Sequence, residues 1–254
     1  VSPLVKKAVF FVVALAVWEG IYQLQIWADY LIPSPFEVMA ALRDGFVDKG
    51  YAGGVLVSLR RIGLGYGLSI LMGLVLGVLL ASSRTLEETV GSIVVALQTL
   101  PSICWLPLAV IWYGLSEKAI LFVVIMGSFL SITLATTGGI KRVPPLLIAA
   151  ARTMGARGIQ LHLYVTLPAA LPSIVEGMKQ GWSFAWRSLM AGEIIFGTLG
   201  LGHHLQMGRD LNDMSQVLAV ILVIVGLGIV VDLLVFERIE RRIRVRYGLQ
   251  KESS

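Results

Sequence analysis

The sequence predicts an all-α, polytopic membrane protein with about six transmembrane helices. Two observations carry that prediction. The first is composition: 56% of the chain is hydrophobic and only 15% is charged, where a soluble domain carries about 25% charged residues. The second is arrangement. The apolar residues gather into long blocks instead of recurring at helical or strand period, and a block of about 20 is what a helix needs to cross hydrocarbon. Such blocks are too long for strands, and a helix satisfies its own backbone hydrogen bonds where lipid offers none.

The first block, Ala8–Trp27, is interrupted by one charge, Glu19. Ala14-Leu15-Ala16 has the form of a signal-peptide cleavage site but lies inside the apolar core, so a retained span is expected. Ile32-Pro33-Ser34-Pro35 breaks the helix and makes an extended corner. Residues 36–55 read as a short outer helix with a glycine-containing loop, or as a segment dipping into the interface. The second block, Ile62–Ala81, carries Gly63/Gly67 and Gly73/Gly77 at GxxxG spacing, which lets helices approach closely.

The third block, Val90–Tyr113, is uncharged but contains Pro101 and Pro107. Each proline removes a helical hydrogen bond and bends the helix. Inside a membrane the freed carbonyls need partners, so such bends line protein or water-filled cavities. Gln98, Thr99 and Ser102 beside the first bend suit either a pathway lining or a structural kink. Cys104 lies in this block and is expected to be a small buried hydrophobe. Ala119–Ile140 is a fourth, uncharged block.

The fifth block, Ile174–Ile195, contains Glu176, Lys179, Arg187 and Glu193. Glu176 and Lys179 are spaced to pair on one helix. Ionisable groups at membrane depth are costly and face protein or water. Arg187 therefore either faces a route and offers an anion a counter-charge, or bridges to Glu19 or Glu193. The sixth block, Val217–Phe236, carries only Asp232 and leads into the basic run Arg238–Arg246.

Lys6, Lys7, Arg84, Lys141, Arg142, Arg152, Arg157, the terminal arginines and Lys251 fall on one side of these spans. Arg43, Lys49, Arg60, Arg61, Lys118 and Arg209 fall on the other. The positive-inside rule makes the richer side, with both termini, cytoplasmic. The +5 net charge is thus a juxtamembrane feature, with anionic lipid as its natural partner, and nucleic acid is not expected. One cysteine excludes an intrachain disulfide. His203 and His204 have no further ligands at zinc spacing. No GxxxxGK[ST] phosphate loop is present, and no nucleophile, base or metal set converges to suggest an enzyme.

The segment 141–172, between the fourth and fifth blocks, holds basic residues and no acid. Pro144-Pro145 stops the incoming helix, Leu146–Met154 suits a short helix, and Gly155 and Gly158 permit a reversal. Ile159–Val165 suits a second short helix, which Leu167-Pro168 would end. Composition allows two readings: a compact cytoplasmic finger, or a basic amphipathic segment resting on lipid. The residue order adds to this. Ala149-Ala150-Ala151, three residues, Gly155, nine residues, then Val165-x-Leu167-Pro168 resembles the cytoplasmic signature, the EAA loop, of binding-protein-dependent ABC importer permeases. Ala149 stands where that pattern has Glu, and Val165 where it has Ile. Leu31-Ile32-Pro33-Ser34-Pro35 is similar to the nitrate/sulfonate/taurine branch. So are Trp105-Leu106-Pro107-Leu108 with Trp112-Tyr113-Gly114, Ala185-Trp186 with Ala191-Gly192-Glu193, and the run from Asp232 into the arginines.

The resemblance implies a type I ABC importer permease fold, one transmembrane domain over 1–254 with a coupling loop at 141–172, in a bacterial inner membrane. It implies a second permease copy, two ATPase subunits and an extracytoplasmic substrate-binding protein as partners. No cofactor is expected in this chain, since ATP and Mg would sit on the ATPase. Ala150, Ala151, Arg152, Gly155, Ala156, Arg157, Gly158, His162, Leu167 and Pro168 become the expected ATPase-coupling residues. Gln98, Ser102, Arg187 and Glu193 become candidates for the translocation pathway. The expected substrate is a small oxyanion, an aliphatic sulfonate first, with nitrate, taurine or bicarbonate as alternatives. A stand-alone secondary transporter is the competing class, but its usual internal repeat is missing: no second finger occurs in the first half.

Overall fold

A computed structural model of the chain describes residues 3–25 and 31–247. Trp27, at the end of the first expected span, and Lys251 lie outside the described residues. Among the described residues every regular element is helical. In chain order these are α1 (Pro3–Gln23), α2 (Pro35–Val47), α3 (Tyr51–Ser82), α4 (Arg84–Gln98), α5 (Ser102–Tyr113), α6 (Glu117–Lys141), α7 (Pro145–Thr153), α8 (Gly158–Leu161), α9 (Leu167–Phe196), α10 (Leu201–Asp210), α11 (Met214–Val231) and α12 (Glu237–Arg246). Wider π turns lie within α4 and join α8 to α9 and α11 to α12.

Two compact units divide the chain, one of residues 1–58 and 193–227 and one of 59–192 and 228–254. In the first, α2 starts where the sequence provides a cap. Ser34 Oγ accepts from the Glu37 amide at 3.1 Å, Glu37 Oε2 accepts from the Ser34 amide at 2.8 Å, and Pro35 occupies the first turn. The Trp18 indole donates to the Pro33 carbonyl at 3.0 Å, holding α1 to the proline corner. Val38, Tyr51, Ala219 and Val220 form the buried core of this unit.

In the second unit α3 and α6 pack through small residues. A Cβ on Gly73 would lie 2.9 Å from Ile132, one on Gly77 2.5 Å from Thr136, and one on Gly65 2.8 Å from Val124. Gly73/Gly77 therefore serves as the spacing predicts. Gly63/Gly67 makes no such approach within this chain, because nothing among the described residues lies within 4 Å of a Cβ at either. Ser69 and Ser128 share a hydrogen bond of 2.8 Å across this contact, and Thr137 donates to the Gly77 carbonyl at 3.1 Å.

α3, α6 and the stretch Met214–Val245 are each long and apolar enough to cross a membrane. The third expected span is broken: α4 and α5 meet at 102° across Thr99–Pro101. Pro101 lacks the amide that would continue the helix. The break also exposes Cys104, which corrects its expected burial. Only Ala8–Gln23 of α1 counts as apolar helix, shorter than the other spans. α9 has 30 residues, starting earlier than Ile174 and carrying the charges noted above. Leu167-Pro168 opens α9 instead of ending a helix. The π turn His162–Thr166 just before it absorbs the missing amide of Pro168. Lys179 pairs not with Glu176 but with Asp232 at 3.0 Å and Glu240 at 3.5 Å.

Candidate functional site

The finger is closed by backbone geometry. The Gly155 amide donates to the Arg152 carbonyl and the Ala156 amide to the Ala151 carbonyl, each at 3.0 Å. These two bonds form a Schellman motif at the end of α7. Gly155 takes φ +92°, and a Cβ there would meet nothing within 4 Å. Glycine is thus required by conformation, and not by room within this chain. Gly158 opens α8 at φ +51°. The reversal brings Arg152, Ala156, Arg157, Gly158 and His162 around one small cleft. Ala150, Arg152, Gly155, Arg157, Gly158 and His162 are exposed, whereas Ala151 is buried and faces the fold. Leu167 and Pro168 are half-buried at the finger's base.

That base contains an orphan carbonyl. Pro172 sits inside α9, four residues after Pro168, and has no amide to give it. The Tyr247 hydroxyl donates to the Pro168 carbonyl instead, at 2.6 Å. Sequence reasoning missed Tyr247, although the Pro-x-x-x-Pro spacing was the signal for an unpaired carbonyl.

The broken third span makes a second site. Gln98, Thr99, Ser102 and Ser131 line a cavity that Phe184 helps to close. A second, more polar cavity shares Gln98 and Ser131 and continues past Arg142, Ser173, Glu176 and Gln180. Gln98 Oε1 and Ser131 Oγ are buried without a hydrogen-bond partner among the described residues. Buried polar atoms left open in this way are free to hold a passing ligand or water. Arg187 is exposed. Its Nε donates to the Ser183 carbonyl at 3.1 Å, and its guanidinium lies 4.9 Å from the Phe184 ring centroid. No carboxylate is among its partners in the described residues, where the sequence left a salt bridge and a route-facing charge both open.

Glu193 is placed differently. It is wholly buried, accepts from Ser58 Oγ at 2.9 and 2.8 Å, and accepts from the Gly202 amide at 3.0 Å. Ser58 Oγ in turn accepts from the Leu201 amide at 3.0 Å. Two of the orphan amides opening α10 are thereby satisfied, and a carboxylate suits the positive end of a helix. The sequence grouped Glu193 with Arg187 on the route; the geometry makes it a helix cap. Ser58 carried no signal of this, because its partner lies far along the chain.

Comparison with known proteins follows the same lines. The family described as "Binding-protein-dependent transport system inner membrane component" matches residues 70–245. The taurine transport system permease protein TauC of Escherichia coli is 30% identical over 87% of this chain and 82% of its own length. The nitrate import permease protein NrtB of Synechocystis is 25% identical over 90% of this chain and 85% of its own. Among solved structures, an inward-facing conformation of the MetNI methionine ABC transporter matches with a TM-score of 0.64 at 24% identity, covering 76% of this chain and 95% of that one. The fold is therefore that of type I ABC importer permeases.

Proposed function

Because the chain belongs to the family of binding-protein-dependent transport system inner membrane components, in its nitrate/sulfonate/taurine branch, we propose that it carries a small oxyanion, an aliphatic sulfonate first, along the polar cavities of its broken third span. The chain is a transport component. ATP hydrolysis is assigned to a partner ATPase, with substrate delivered by an extracytoplasmic binding protein and a second permease copy completing the pathway.

Arg187 carries the substrate reading. It is an exposed guanidinium with no carboxylate partner among the described residues, resting on the aromatic ring that helps close the Gln98–Ser102–Ser131 cavity. A planar, permanently charged fork suits the oxygens of a sulfonate. The relative TauC is a taurine permease, and taurine is an aliphatic sulfonate. The finger, with Arg152, Arg157 and His162 around its cleft, is assigned to docking on the ATPase. Closure of the ATPase on ATP moves the finger and shifts the permease between inward-open and outward-open states. The driving free energy is the differential affinity of ATP for those two states.

The test is uptake by proteoliposomes holding the permease, its ATPase and its binding protein. Labelled taurine or an alkanesulfonate should accumulate with ATP, ahead of nitrate. Arg187→Ala should cut uptake by about tenfold or more, since one charge-assisted contact is worth more than 1.4 kcal/mol, while assembly stays intact. Unchanged uptake in an assembled Arg187→Ala transporter would sink the assignment.

A further inference from the structure

One side of α9 is a polar stripe. Ser173, Glu176, Gln180, Ser183 and Arg187 recur at alternating intervals of three and four residues, which places them along one face of the helix. Glu176, Gln180, Ser183 and Arg187 are exposed. Ionisable groups on an expected span face water or protein, because hydrocarbon solvates them poorly. The stripe runs for about 21 Å at the helical rise of 1.5 Å per residue. Arg187 marks one end of it and Glu176 lies near the other.

The Glu176 end lines the more polar of the two cavities described above, of about 310 Å³. Ser131 and Arg142 of α6 and Gln98 of α4 line the same cavity. Ser131 is 3% exposed, and its hydroxyl has no partner among the described residues. Neither the Glu176 carboxylate nor the Arg142 guanidinium has an ion-pair or hydrogen-bond partner among the described residues. Arg244, which shares a smaller neighbouring cavity with Glu176, is engaged by Glu240 at 3.2 Å. One cavity thus presents an open cation and an open anion together. For a bare oxyanion the guanidinium would suffice, and the carboxylate would only repel it. A cargo that carries an ammonium as well as a sulfonate uses both groups. Building on the sulfonate reading above, we propose that this cavity selects zwitterionic ammonio-sulfonates over bare oxyanions, with Arg142 meeting the sulfonate and Glu176 the ammonium. Both contacts are charge-assisted hydrogen bonds, the stronger kind. Arg187 is about 16 Å along α9 from Glu176 at the helical rise, too far to hold the same small molecule. It meets the sulfonate elsewhere on the route.

Proteoliposomes holding the permease, its ATPase and its binding protein test this, with uptake of taurine measured beside that of ethanesulfonate, which lacks only the amine. Glu176→Gln should slow taurine by about tenfold, the worth of one charge-assisted contact. It should speed ethanesulfonate, which meets only a like charge at Glu176. Glu176→Asp keeps the charge and should preserve taurine's advantage, whereas Arg142→Gln should slow both substrates. The binding protein is the same in every assay, so a change in the ratio of the two rates belongs to the permease. A ratio unmoved by Glu176→Gln overturns the proposal. If both rates hold, the carboxylate meets no cargo; if both fall together, Glu176 belongs to an ion pair of the assembled transporter. Arg187→Ala, which tests the sulfonate reading itself, should lower both substrates alike and leave their ratio, so the two failures are told apart.

Discussion

Two reversals between helices, the α7–α8 finger and the α9–α10 turn, are each marked by a glycine, and the two glycines are there for opposite reasons. Gly155 takes φ +92° with open space around it. Gly200 is extended, a conformation any residue adopts, but a Cβ there would run into the Glu193 carboxylate. One glycine is required by backbone conformation, the other by close packing. The finger keeps its shape through two backbone hydrogen bonds and leaves its cationic side chains outward. The α9–α10 turn keeps its shape through one buried carboxylate and carries no ionisable side chain between Gly197 and Gly200. The surface proposed to meet the ATPase is shaped from within its own backbone, whereas the turn that holds the fold uses its side chains inward.

The comparison can be broken from either side. The largest effect is expected at the buried turn. Glu193→Ala strips acceptors from the Ser58 hydroxyl and the Gly202 amide in a site closed to water, and should cost about 3 kcal/mol. Thermal unfolding of the purified protein and its membrane yield would report this. A variant that unfolds like the wild type would show that the cap is dispensable. Gly155→Ala should be milder for stability, about 1 kcal/mol, the strain of an L-residue at positive φ. Its effect on ATP-coupled uptake should exceed its effect on unfolding. If Gly155→Ala unfolds as readily as Glu193→Ala, the distinction between the two glycines fails. Tyr247→Phe comes next. It leaves the Pro168 carbonyl without a donor at the finger's base and should cost about 1 kcal/mol, with Pro172→Ala restoring a donor and relieving the loss.

How far these features were legible follows from where their partners lie. The finger was legible because its signals are local: Pro144-Pro145, Gly155 and Gly158 fall within one short stretch, and a Schellman motif is made of neighbours. The break at Pro101 was legible for the same reason, and with it the placing of Gln98 and Ser102 on one cavity. The sharpness of that break was not, since a proline inside a membrane helix either bends it or ends it. Glu193 was visible as a costly buried charge, but its partner Ser58 lies 135 residues away in sequence. Lys179 went the same way: the nearby Glu176 was the local expectation, and distant Asp232 and Glu240 took its place. The Gly63/Gly67 spacing predicted a contact that Gly65 makes, because spacing alone does not say which face of a helix meets its neighbour.

The smallest expected effect appears only in acid. His204 stands on α10 in the same unit as Glu193 and is 4% exposed. Its ring lies 5.0 Å from that of Tyr51, and a Cβ on Gly54 would come within 2.8 Å of it. Burial, and then the neighbouring His203, lower its pKa from the ordinary value. The folded protein therefore binds fewer protons here than the unfolded chain does. Stability is complete above the unfolded value of about 6.5 and declines as pH falls from there towards the lowered folded value, below which it levels off. Lys49, Asp213 and His203 on the surrounding elements are present in both proteins of the comparison that follows. A His204→Phe variant isolates the one group: its unfolding temperature should fall less than the wild type's between neutral pH and about pH 5.5. Parallel pH profiles for the two proteins would mean that the buried imidazole is not the group that feels the acid.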